Sequence, residues 1–155
     1  MKLIIFDLDG VLVEAKNIHF DALNEALGNK YSINWNEHLS IYDGLKTTQK
    51  LKMLSERKNL PKDKYSDIWN TKQKITLQKL KNLMEQLVQV EYKIAVCSNS
   101  IRKTCLTVLS KLGIMEYMDL VISNEDVQNS KPHPEMYWTA ISKMGCLPEE
   151  TLIVE

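Results

Sequence analysis

What most constrains this chain is an interruption in its pattern. Residues 2–6 form a short apolar, β-branched run ending in Asp7-Leu8-Asp9-Gly10, which reads as a buried strand and the loop that leaves it. No convincing strand follows between residues 15 and 87. The character then reverts: residues 92–97, Leu120–Ile122 and residues 152–154 read as strands, separated by helices over 101–112 and Glu135–Met144. Strands joined through single helices imply a parallel sheet covered on both faces. The expected fold is an α/β core of residues 1–14 and 91–155, interrupted after its first strand by an all-helical unit of residues 15–90.

Within the insert, Ile18, Ala22, Leu23, Ala26 and Leu27 recur at helical spacing, and Gly28 supplies a stop. Leu45, Leu51 and Leu54 predict a second helix after the turn signal Asp43-Gly44, capped by Thr47. Pro61 opens a third, and Leu80, Leu83, Met84 and Leu87 carry its periodicity onward. Charge divides at the same borders. The chain as a whole has 20 basic and 20 acidic side chains, yet residues 15–90 hold 13 and 8, a net of +5, and the remainder carries −5.

Other classes fall away. No run approaches the roughly 18 apolar residues of a membrane span, and the N-terminus lacks the apolar stretch and cleavage site of a signal peptide. Cys97, Cys105 and Cys146 form no C-x-x-C pair, which predicts a reducing compartment and a cytoplasmic protein. Without clustered Arg or a DNA-binding motif, nucleic acid is not an expected partner. His38 and His133 have no zinc-like spacing, and Trp35, Trp69 and Trp138 read as packing residues. Lys72, Lys74, Lys79 and Lys81 read as a solvated helix face.

In an open parallel sheet, ligands bind beyond the carboxyl ends of the strands. This sequence places Asp7 and Asp9, Ser98 and Asn99, and Glu155 there, with Lys131 in the loop after the third strand. Converging carboxylates, a hydroxyl and an ammonium suit metal-assisted phosphoryl transfer. One carboxylate can attack phosphorus while its neighbour two residues on reaches the bridging oxygen, so an acyl-phosphate splits one hard displacement into two. Carboxylates facing a phosphate require a cation, and hard oxygen ligands favour magnesium. Gly10 lets the backbone approach a phosphate, Ser98 and Asn99 can donate to its oxygens, and Lys131 can neutralise charge as it builds. Ser98 also reads as a helix cap and Asn99 as a turn residue.

In their order, Asp7-Leu8-Asp9-Gly10-Val11-Leu12, Ser98 in Val96-Cys97-Ser98-Asn99-Ser100, Lys131 in Ser130-Lys131-Pro132-His133-Pro134-Glu135, and Leu152-Ile153-Val154-Glu155 resemble the four motifs of the haloacid dehalogenase (HAD) superfamily. The insert is similar to the helical cap of its beta-phosphoglucomutase and phosphoglycolate-phosphatase branch. The resemblance implies a Rossmann-like (HAD-like) core and a magnesium-dependent phosphatase acting as a monomer on a small phosphorylated metabolite. It assigns Asp7 as nucleophile, Asp9 as general acid/base, Ser98 as phosphoryl ligand and Lys131 as the bridge to the nucleophile. Magnesium is expected on Asp7, the Asp9 carbonyl and Glu155. His19 falls where mutases place a His near the acid/base, and Lys46 and Thr47 fall where cap residues contact substrate. The loop after Gly44 lacks the Arg with which mutases hold a second phosphate, leaving Lys46 as a substitute point charge. A mutase-type phosphotransferase is the alternative enzyme, and a silent fragment the non-enzymatic one. That last reading comes from the fourth motif: it normally continues from Glu into Asp and on to a further strand and helix, so the sequence resembles a C-terminally truncated member.

Overall fold

β1 (Leu3–Phe6) is buried at all four positions, as a central strand with both faces covered must be. The computed structural model, which describes all 155 residues, places after it α1 (Lys16–Leu27), the short α2 (Trp35–Glu37), α3 (Thr47–Lys58) and the long α4 (Tyr65–Gln89). The chain then alternates through β2 (Lys93–Cys97), α5 (Arg102–Lys111), β3 (Leu120–Ile122), α6 (Glu135–Met144) and β4 (Thr151–Val154). The four strands form one parallel sheet in the order β3-β2-β1-β4. This is the α/β architecture with an inserted all-helical cap that the periodicities require.

Two compact units result: Met1–Ala15 with Leu80–Glu155, and Lys16–Lys79. The division falls inside α4 rather than near residue 90. The later half of that helix is tied to the sheet-bearing unit, where the Tyr117 hydroxyl donates to Glu85 at 3.1 Å and Lys81 lies 3.7 Å from Glu116. In the sheet-bearing unit, Leu3, Ile5, Ala95, Cys97 and Ile122 meet Met136, Ala140 and Ile141 of α6. Alternate residues of β1 and β2 share that face because side chains alternate along a strand.

The helical unit has its own core of Leu23, Leu27, Tyr31, Ile33, Tyr42, Leu51, Leu54, Leu60 and Ile68. Gly28, at φ +68°, closes α1 as expected. Thr47 is the first residue of α3 rather than its cap: the backbone turns at Lys46, whose N–H donates to Gln49 Oε1 at 3.0 Å. The segment from Trp35 to Tyr42 also winds helically, which periodicity had not revealed. His38 is 3 % exposed there, its ring 5.1 Å from that of Phe20 and 5.2 Å from that of Trp35. Neither ring nitrogen has a hydrogen-bond partner.

Burial, followed by the charge of Lys50, holds His38 below its ordinary pKa, with Asp43 acting the other way. As pH falls the unfolded chain takes up this proton first, so stability present above about pH 6.5 is lost below it. His38→Phe, which keeps the aromatic contacts, is expected to show a smaller fall in Tm than wild type between about pH 7 and about pH 5. Equal slopes would mean that His38 does not carry the acid sensitivity.

Candidate active site

Phe6 of β1 is paired with Val96 of β2 and Val154 of β4. Asp7 and Glu155 therefore leave the sheet at one level, beside Cys97 at the end of β2, on strands about 4.8 Å apart. The Asp7 N–H donates to Val154 O at 2.9 Å, and the Ser98 N–H donates to Ile122 O at 3.0 Å, carrying the sheet one residue past its strands.

Asp7 Oδ1 accepts two bonds, from the Leu8 N–H at 2.8 Å and from Lys131 Nζ at 2.7 Å. The lysine side chain is only 13 % exposed, so salt screens this pair weakly. Oδ2 takes neither bond. Asp9 is exposed beside it, and its Oδ2 accepts from the Ser100 hydroxyl at 3.2 Å. Gly10 sits at φ +80° with no heavy atom within 4 Å of where a Cβ would be. Its positive φ, not crowding, is what requires glycine there.

The loop bearing Lys131 is clasped from two sides. Asn99 Oδ1 accepts the Lys131 N–H at 2.9 Å, and Asn99 Nδ2 donates to the Lys131 carbonyl at 3.0 Å. The Glu135 carboxylate accepts the N–H groups of Gln128 and Asn129 at 2.8 and 3.0 Å, and the Asn129 side-chain amide at 2.8 Å. Ser98 is fully buried, and its Oγ accepts the Ser100 N–H at 3.0 Å in a local turn; it does not cap α5, where Ile101 holds the cap position.

Glu155 accepts a hydrogen bond from the Tyr137 hydroxyl and lies 4.0 Å from Lys131 Nζ. Burial, then that bond, push the Tyr137 phenol well above its usual pKa, so it remains a donor. Burial also pushes the Cys97 thiol up to about 12, which keeps it protonated and unreactive.

The structure thus gathers Asp7, Asp9, Gly10, Ser98, Asn99, Lys131 and Glu155 at one end of the sheet. His19, Lys46 and Thr47 belong to the helical unit. His19 Nδ1 lies 3.0 Å from Lys72 Nζ, while Lys46 is exposed ahead of α3. Ser100 and Tyr137 were not singled out from the sequence. Ser100 shares a loop with Ser98 and could have been suspected, whereas Tyr137 gives no local signal on its helix.

A strand-end Asp held by a distant Lys, on a parallel α/β core with a helical cap, defines a hydrolase with phosphoryl-transfer chemistry. The sequence profile of haloacid dehalogenase-like hydrolases matches residues 4–155, and the chain belongs to that family. It is 24 % identical to a phosphorylated carbohydrates phosphatase of Thermotoga maritima, over all of this chain and 76 % of the relative. It is 26 % identical to the pyrophosphatase PpaX of Oceanobacillus iheyensis, over 99 % of this chain and 74 % of that one. Among solved structures, beta-phosphoglucomutase from Clostridium difficile shares the fold at 22 % identity and TM-score 0.54, with 100 % of this chain and 76 % of that chain covered.

Because both ends of the Asn99 amide are spent on the Lys131 peptide, Asn99→Ala is expected to lower unfolding free energy by about 1 kcal/mol. Asn99→Asp, which keeps an acceptor but loses the donor, should fall between the two. Denaturant unfolding measures both, and an Asn99→Ala variant as stable as wild type would show that the clasp contributes nothing.

Proposed function

We propose that this chain is a magnesium-dependent phosphatase that hydrolyses a small phosphorylated metabolite through an aspartyl-phosphate on Asp7. The observation that carries the reading is the 2.7 Å bond between Lys131 Nζ and Asp7 Oδ1 at the end of the central strand. It orients the carboxylate, offsets its charge as a phosphate dianion approaches, and leaves Oδ2 to attack. Attack forms the Asp7–phosphorus bond and breaks the bond to the ester oxygen, which takes a proton from Asp9. Asp9, now a carboxylate, takes a proton from water as that water attacks phosphorus, and Asp7 is released. The Ser100 bond to Asp9 fixes where the proton is delivered.

Members of the family typically use magnesium, and the donors suit it in kind: two carboxylates, on Asp7 and Glu155, and the Asp9 carbonyl, all hard oxygens. No three His, Cys, Asp or Glu side chains converge on a common point. Asp7, Glu155 and the Asp9 carbonyl are the residues that would hold the ion, a small number of hard protein ligands of the kind magnesium accepts. When bound, magnesium would supply positive charge against the phosphate.

The relatives' names point the same way, toward phosphorylated carbohydrates and pyrophosphate as substrates of those proteins. Phosphate release from a panel of phosphorylated metabolites should require magnesium and vanish in Asp7→Asn. Lys131→Met should lower kcat by roughly 100- to 1000-fold. Turnover that survives Asp7→Asn would overturn the covalent route.

A further inference from the structure

Glu155 stands one residue past β4, the strand at the edge of the sheet, and its side chain is 60 % exposed. A glutamate so placed has several rotatable bonds and little packing to choose among its rotamers, so ordering it costs entropy. Here one rotamer has partners. Oε1 accepts from the Tyr137 hydroxyl, and the same oxygen lies 4.0 Å from Lys131 Nζ. Oε2 takes part in neither contact. Asp7 is divided in the same way, with Oδ1 held by the Leu8 N–H and Lys131, and Oδ2 by neither. Two carboxylates at one level of the sheet thus each have one oxygen held and one left open.

The placement of the hydroxyl follows from packing. Met136, Ala140 and Ile141 press α6 onto Leu3, Ile5 and Cys97 of the sheet, and the Tyr137 ring is partly buried against the same cluster. The apolar body of the ring is anchored while its polar tip stays at the rim. Phenylalanine would pack there equally well, so the hydroxyl is the part of Tyr137 that the core does not require. Lys131 cannot replace it, being 2.7 Å from Asp7 and 4.0 Å from Glu155. A hydroxyl also orients a carboxylate without bringing a second positive charge beside a cation site.

We propose that Tyr137 is a positioning residue for the magnesium site: its hydroxyl holds Oε1 of Glu155, keeps that carboxylate from swinging onto Lys131, and leaves Oε2 open for the ion. The inference deepens the phosphatase reading and rests on Glu155 being a magnesium ligand. Tyr137 acts through Glu155 alone and has no part in the chemical steps at Asp7 and Asp9. All of these residues belong to the sheet-bearing unit.

The test titrates the full chain with magnesium chloride by calorimetry, without substrate and at constant ionic strength. Tyr137→Phe keeps the ring and its packing, and should weaken magnesium binding by roughly tenfold or more. Glu155→Ala should weaken it too, and adding Tyr137→Phe to that variant should cause no further loss, since a residue that works through Glu155 then has nothing to position. A merely structural tyrosine would cost the same factor in both backgrounds. Tyr137→Phe that binds magnesium as wild type does, or that shows equal losses with and without Glu155, overturns the proposal.

A second readout needs no change at position 137. Magnesium should alter the tyrosine ultraviolet spectrum of wild type, and the difference should vanish in Glu155→Ala at saturating magnesium. No difference in wild type, or one that persists in Glu155→Ala, would also count against the proposal. Wild type that binds no magnesium overturns it whatever the turnover. Magnesium binding that depends on Tyr137 in a chain that releases no phosphate would instead sink the phosphatase reading and leave the positioning role standing.

Discussion

One contact closes this molecule's chemistry: Lys131 Nζ to Asp7 Oδ1, 2.7 Å across 124 residues of sequence. It holds only if three separate conditions are met. β1 must stand at the centre of the sheet, so that its end opens among its neighbours rather than at an edge. β4 must pair with β1 in the observed register, so that Asp7 and Glu155 leave the sheet level with each other. The loop after β3 must hold its shape without a strand or helix to define it, and there the Asn99 and Glu135 hydrogen bonds take over. The site is thus a property of the whole sheet, although few side chains touch its centre.

The division of Asp7 into two unlike oxygens follows from that contact. Oδ1 is saturated by a backbone N–H and an ammonium, both fixed by the fold. That fixes the carboxylate plane before any ligand arrives; in the proposed reaction a phosphate would meet an oriented oxygen, with little ordering entropy left to spend. A freely rotating carboxylate at a loop tip would offer the same chemistry and lose this advantage.

Much of this architecture could be read from the sequence, because it rests on periodicity and punctuation. Leu120–Ile122 and Glu135–Met144 emerge with the bounds that their apolar spacing and Pro134 suggest. The strand-end residues were legible for the same reason, since a strand's end fixes where its next residues go. Side-chain commitments were not. Asn99 looks like a donor to phosphate, yet both halves of its amide are taken by the Lys131 peptide, and that depends on how two distant loops meet. Ser98 reads equally as ligand and as helix cap, and in the structure its buried oxygen instead closes a local turn by accepting the Ser100 N–H, ahead of α5. The sequence places the end of the helical insert at residue 90, where α4 ends, while the compact helical unit runs to Lys79 within that unbroken helix; periodicity has no sign for a helix that changes partners.

The same limit governs the charge division. A net of +5 across residues 15–90 says that the helical unit is basic and nothing about where the charge matters. Lys72, Lys74, Lys79 and Lys81 form one stripe in the sequence, and the stripe dissolves in three dimensions. Lys79 is paired with Glu25, Lys81 approaches Glu116, Lys74 is exposed, and Lys72 alone is buried, facing a histidine. Three of these four could be exchanged for other polar residues at little cost, since exposed pairs contribute about 0–1 kcal/mol. The fourth bears a desolvation penalty that no protein carboxylate offsets. Its one polar contact is the His19 ring at 3.0 Å, a meeting of α1 and α4 that no count of charges along the sequence could reveal.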